Sequence, residues 1–107
     1  MTAPGPPPSL RFLTEWYQRA LTEGDIDSVV AILSDATAIL RDRGNPVALL
    51  VVVNAPTDQV FYAVFAADSA DSVTQACRHA GWAPDRITGG VQTRIPADVC
   101  ARCNDIP

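Results

Sequence analysis

Four side chains in this 107-residue sequence are singled out as candidate metal ligands: Glu15, His79, Cys100 and Cys103. Cys100 and Cys103 stand in Cys-x-x-Cys spacing, which lets two thiolates hold one soft metal or close a disulfide. Zinc takes four ligands, and the chain offers one such pair. Thioredoxin-like redox chemistry needs the pair at a helix start after a strand, whereas this one falls near the C-terminus. Pro96-Ala97-Asp98 can begin one helical turn, which would bring both sulfurs to one side; two thiols on a loose tail are the plainer reading. His79 is the single histidine. A neutral imidazole ligates metals, and a protonated one suits a helix C-terminus, which is the expected role here. Glu15 lies among apolar neighbours, where a buried carboxylate needs a cation. A metal or an inter-sheet cavity would give it a task; an ion pair is the commoner outcome.

Other reactive types read as packing. Cys77 falls on an apolar helical stripe and is expected as a small buried hydrophobe. Trp16, Tyr17, Phe61, Tyr62 and Phe65 crowd two strand-like segments, where they would line a pocket or, more commonly, fill core and dimer contacts. Nucleophile elbows, phosphate-binding glycine loops and paired-carboxylate sites have no counterpart in the sequence.

The elements that must position these residues follow from periodicity. Residues 10–17 (LRFLTEWY) alternate, with Phe12, Thr14 and Trp16 on one face and Leu13, Glu15 and Tyr17 on the other. Ile26, Val29, Val30, Leu33, Thr37 and Leu40 step by three and four, predicting a helix over 25–43 that Gly44-Asn45-Pro46 stops. Residues 47–53 (VALLVVV) form a β-branched strand, 54–58 a reversing turn, and 59–66 a third strand completing a hairpin. A second helix is capped by Asp68 or Ser69, carries Val73, Ala76, Cys77 and Ala80 on its apolar face, and ends at Gly81. Residues 86–95 return to strand character, with Gly89-Gly90 marking a bulge or a close backbone approach.

Composition bounds the rest. Hydrophobic residues make up 48% and charged residues 19%, enough apolar content for one core. Residues 1–9, with Pro4, Gly5, Pro6, Pro7 and Pro8, are expected as a disordered arm, 10–95 as the domain and 96–107 as a tail bearing the Cys-x-x-Cys. All 8 basic residues are arginine against 12 acidic ones, a net charge of −4, which argues against a nucleic-acid partner. The longest apolar run, eight residues over 60–67, is far below the roughly 20 that span a membrane. An opening without basic charge or apolar stretch is unlike a secretory signal, and three cysteines make no disulfide framework, so a cytoplasmic protein is expected.

The order strand, helix, strand, strand, helix, strand is that of an α+β ferredoxin-like βαββαβ unit, a four-stranded antiparallel sheet with two helices on one face. In that topology the 47–53 strand lies at an edge, yet it does not alternate, so its second face needs cover. A second copy is the simplest cover. Two sheets packed face to face make a homodimer of the dimeric α+β barrel type, with room for a small ligand between them.

Three local signatures fit a known family. Thr14-Glu15-Trp16-Tyr17 followed by Leu21-Thr22, the stretch from Phe65 to Val73, and His79-Ala80-Gly81-Trp82-Ala83-Pro84-Asp85-Arg86-Ile87 resemble small ferredoxin-like bacterial proteins of largely unassigned function, represented by nickel-responsive, nickel-binding members in actinobacteria. The resemblance covers about residues 10–91. It implies a ferredoxin-like dimer and, for some members, a divalent transition metal. Family members often carry Cys-x-Cys and then Glu on the third strand, where this chain has Phe61, Ala63 and Ala66; Glu15 is the acidic position retained. Nickel is therefore expected to bind weakly or not at all at the inherited position. If metal binds, Cys100 and Cys103 should carry it, with thiolates of a second subunit completing four sulfurs around zinc.

The leading expectation is a non-enzymatic dimer that binds a metal ion or a small apolar molecule for sensing or storage. The alternative is an enzyme like the cofactor-independent oxygenases and degradative enzymes of the dimeric α+β barrel type, with Trp16, Tyr62, Asn54 and His79 lining a cavity, by fold analogy. A protein-interaction module using the arm and the cysteine tail is a third.

Overall fold

The structure, a computed structural model, describes residues 10–17 and 23–94. The arm 1–9 and the tail 96–107, with Cys100 and Cys103, lie outside the described residues, as do Leu21 and Thr22. Strand β1 is Leu10–Tyr17, helix α1 Glu23–Asp42, β2 Val47–Ala55, β3 Val60–Ala67, α2 Ala70–His79 and β4 Arg86–Thr88, with a 3-10 turn at Pro56–Asp58 between β2 and β3. The sheet order is β2-β3-β1-β4 with every neighbouring pair antiparallel. This is the ferredoxin-like α+β arrangement expected from the sequence, with β2 at an edge. Among the described residues no helix is long and apolar enough to cross a membrane.

Both helices end through the same device. Gly44 and Gly81 take left-handed φ of +81° and +86°, and the amides on either side of each turn are spent on the last helical carbonyls. Asn45 N–H donates to the Leu40 carbonyl and Gly44 N–H to that of Arg41, while Trp82 N–H and Gly81 N–H do the same for Cys77 and Arg78. These are paired 6→1 and 5→2 bonds that satisfy orphan carbonyls without water. At the other end of α2 the Ser69 hydroxyl accepts from Ser72 N–H at 3.2 Å. Asn45 then ties the helices together, donating to Gln75 and accepting from the buried Ser72 hydroxyl.

The core lies between the helices and one face of the sheet. Val29, Leu33, Leu40, Val73, Ala76 and Cys77 meet Phe12, Trp16, Phe61, Ala63 and Phe65, and Trp16 stacks on Phe61 at 4.4 Å with rings 7° apart. Thr14, also fully buried, donates its hydroxyl to the Ala63 carbonyl at 2.9 Å, which removes the cost of an unpaired polar group. Val30, placed on the α1 stripe by spacing, is exposed; it sits on the flank of a face centred on Leu33 and Leu40.

Strand β4 is shorter than the sequence predicts, three residues rather than residues 86–95. Gly90, at φ +68°, turns the chain out of the sheet, and Gly89 packs so closely on Phe12 that a Cβ there would stand 3.3 Å from the ring. The close approach expected at this glycine pair is to an aromatic ring, and it ends the strand.

Candidate functional site

Strand pairing assigns each side chain to a face. Arg11, Leu13, Glu15 and Tyr17 stand opposite Ala66, Val64, Tyr62 and Val60, so these eight share the face away from the helices. Val51 and Val53 of β2 join them opposite Val64 and Tyr62, and a register shift at Leu50 bulges the edge strand. Arg86 and Thr88 of β4 complete the set. Leu50, Val51 and Val53 are 47%, 44% and 51% exposed, an apolar concentration that an isolated sheet face does not need.

The chain beyond β4 comes onto this face. Val91 N–H donates to the Arg11 carbonyl at 3.2 Å. Residues Gln92, Thr93 and Arg94 then border both Arg11 and the pair Leu50 and Val51. β3 runs between β1 and β2, and its Val64 and Ala66, on this face, are buried.

Glu15 sits at the opposite end of the face with its partners in place. Its carboxylate accepts from the Tyr17 hydroxyl at 3.2 Å and lies 3.7 Å from Arg86 Nε. The backbone reinforces the corner: Asp85 N–H donates to the Glu15 carbonyl, and Tyr17 N–H to the Asp85 carboxylate, each at 2.8 Å. The carboxylate is thus held in an ion pair, the commoner of the two outcomes that its sequence context allows.

His79 is the last residue of α2 and is exposed on the helix side of the sheet. Glu15 faces away from the helices, so the two do not come together. Among the described residues no group of three or more His, Cys, Asp or Glu could hold a metal ion. Cys77 is buried as expected, and burial pushes its thiol up to about 12; a neutral thiol is a poor ligand.

The family's ligand positions do not form a site here. Phe61 and Ala63 stand opposite Trp16 and Thr14 in the core, whereas Ala66 stands opposite Arg11 on the other face. Three hydrocarbon side chains divided between two faces cannot surround an ion beside Glu15. The residues present do not fit a nickel site at that position.

The cavity set Trp16, Tyr62, Asn54 and His79 is corrected in the same way. Trp16 is sealed in the core, its indole N–H donating to the Trp82 carbonyl at 3.2 Å. Asn54 stands opposite Phe61, while Tyr62 faces away from the helices. The residues that sequence reasoning did not single out are Arg11, Leu50 and the segment 91–94. The Gly89-Gly90 pair was the signal that could have located the segment, since a strand broken there leaves the chain free to turn.

Comparison with known proteins gives a fold relative. The chain is similar to the crystal structure of SCO4226 from Streptomyces coelicolor A3(2), with a TM-score of 0.62 and 16% identity over 78% of this chain and 99% of that one. At that identity the likeness shows the fold alone. No protein-family pattern and no curated protein matches the chain.

Proposed function

We propose that the protein is a small non-enzymatic homodimer, its two sheet faces packed together around a site for a small molecule. The observation that carries this reading is the exposure of Leu50, Val51 and Val53 beside the half-buried Leu13 and Tyr62. A stable interface of this kind buries roughly 1,500 Å² or more in total, and the sheet face supplies exposed apolar area along the edge strand β2, with Glu15 and Arg11 on β1 and Arg86 on β4. Nickel responsiveness, implied by the family resemblance, does not extend to the sheet position, because Phe61, Ala63 and Ala66 offer no donor atoms. Any zinc or nickel binding falls to Cys100 and Cys103.

Native mass spectrometry and light scattering of the full chain test the reading together. A dimer at micromolar concentration that Val53→Asp converts to a folded monomer supports it; a wild-type monomer overturns it. Zinc retained by the dimer and lost in a Cys100→Ser, Cys103→Ser double variant supports the tail site. Tight nickel binding that survives in that variant overturns it and restores the sheet position.

A further inference from the structure

The edge strand β2 is barest close to where the described chain ends. Leu50 and Val51, 47% and 44% exposed, border a hollow of about 580 Å³ whose other border is Gln92, Thr93 and Arg94. Thirteen residues follow Arg94, 95–107 (IPADVCARCNDIP). They carry Ile95, Val99 and Ile106 beside the two cysteines.

We propose that this hollow is the docking site of the chain's own tail, residues 95–107, with Ile95 and Val99 seated against Leu50 and Val51. Chain length and the place where Arg94 stands carry the assignment. Ile95 is one residue beyond the border of the hollow, and thirteen residues reach at most about 45 Å, against about 30 Å for the whole of β2. The tail can therefore cover the bare strand. A segment joined directly to the wall of its site meets it at an effective concentration on the order of millimolar, so the tail outcompetes a micromolar second copy for the same hydrocarbon. Strand β2, VALLVVVNA, holds no charge that would repel it. Residues 1–9 are the poorer occupant, since they carry no Ile, Leu, Val or aromatic residue. Burial of Leu50 and Val51 beneath Ile95 and Val99 supplies the driving force. The tail site does not require the second copy, yet it deepens the dimer reading in one respect: it brings Cys100 and Cys103 to the face where that copy would pack.

The test is cross-linking of the full chain by a short bis-maleimide, with peptide mass spectrometry to locate the bridge and light scattering on the same samples. In a Leu50→Cys, Cys103→Ser variant the new thiol should be bridged to Cys100 within one chain. The bridge should form at least about tenfold faster than from Ile39→Cys, which is 37% exposed on α1, on the other side of the sheet. Nearness to Arg94 alone would also favour Leu50→Cys, so Val99→Asp separates docking from tethering. It should slow the bridge about tenfold and, in a Cys100→Ser, Cys103→Ser background, speed labelling of Leu50→Cys by a simple maleimide by a similar factor. Rates that ignore Val99→Asp overturn the site. A bridge from Leu50→Cys to Cys100 of a second chain overturns the assignment to the chain's own tail. A dimer whose Leu50→Cys thiols bridge only to each other overturns the tail site and spares the dimer. A wild-type monomer that gives the intrachain bridge with its Val99 dependence keeps the tail site and removes the dimer.

Discussion

The two faces of the sheet are built from the same four strands and treat their side chains oppositely. Toward the helices, Trp16, Phe61 and Phe65 are sealed beneath α1 and α2, and the polar Thr14 has its hydrogen bond within the sheet. Away from them, Leu50, Val51 and Val53 remain exposed, with residues 92–94 bordering a hollow beside Leu50 and Val51. A face covered by the chain's own helices is determined by local pattern. A face that keeps its hydrocarbon in water is where the proposed second copy would pack.

The largest expected effect is on the sealed face. Trp16→Ala removes the ring stacked on Phe61 and leaves a cavity that the packed helices cannot fill, so it should cost about 3–5 kcal/mol in chemical denaturation. Val53→Ser, measured at a dilution where the chain is monomeric, should stay within about 0.5 kcal/mol. Equal losses at the two positions would erase the distinction between the faces.

Cys77 tests the seal by pH. Its thiol, raised by burial to about 12 from an ordinary 9.0, is neutral in both folded and unfolded chains well below pH 9, so stability there does not depend on it. Above pH 9 the unfolded chain ionises first. Stability should fall by up to about 1.4 kcal/mol per pH unit until the pH reaches the folded value, and Cys77→Ala should lack that component of the slope. In the native protein at pH 8, Cys77 should resist thiol reagents that modify it in denaturant. Rapid native modification would show that α2 does not close the core.

A smaller effect belongs to the start of α2. Ser69→Ala removes the hydroxyl that accepts from Ser72 N–H and should cost about 1 kcal/mol, against a few tenths for Ser69→Gly, which keeps the extended backbone easily. Thermal unfolding of the two variants separates capping from backbone preference.

The elements were legible because each is declared locally. Gly44 and Gly81 end helices in the one conformation that glycine favours, and β1 announces both of its faces by alternation from Phe12 to Tyr17. The site was less legible because it depends on which strands become neighbours. Yet one part of it is written in the spacing of β3 alone: positions 61 and 63 share a parity that 66 does not, so in a regular strand they cannot share a face. The run VALLVVV hid its own faces, since every residue is apolar and the bulge at Leu50 shifts the alternation midway. That residues 92–94 border both Arg11 of β1 and Leu50 and Val51 of β2 is a long-range outcome that no local period encodes.

The smallest effect is also the most informative about the open face. Arg86 is 64% exposed and Glu15 15%, so in a single chain their pairing is screened by solvent, and a double-mutant cycle with Glu15→Gln and Arg86→Gln should give a coupling of about 0.5 kcal/mol or less that fades in 1 M salt. A second copy packed over the sheet would take both groups out of water. Attraction then strengthens as the effective dielectric falls, and loss of one partner leaves a charge uncompensated. The same cycle run in the parent and in the Val53→Asp background should therefore differ, with coupling above about 1 kcal/mol and little salt dependence in the dimer. Identical, salt-sensitive couplings in both backgrounds would mean that water still reaches Glu15 in the assembled protein, and that the copies meet elsewhere than on this face.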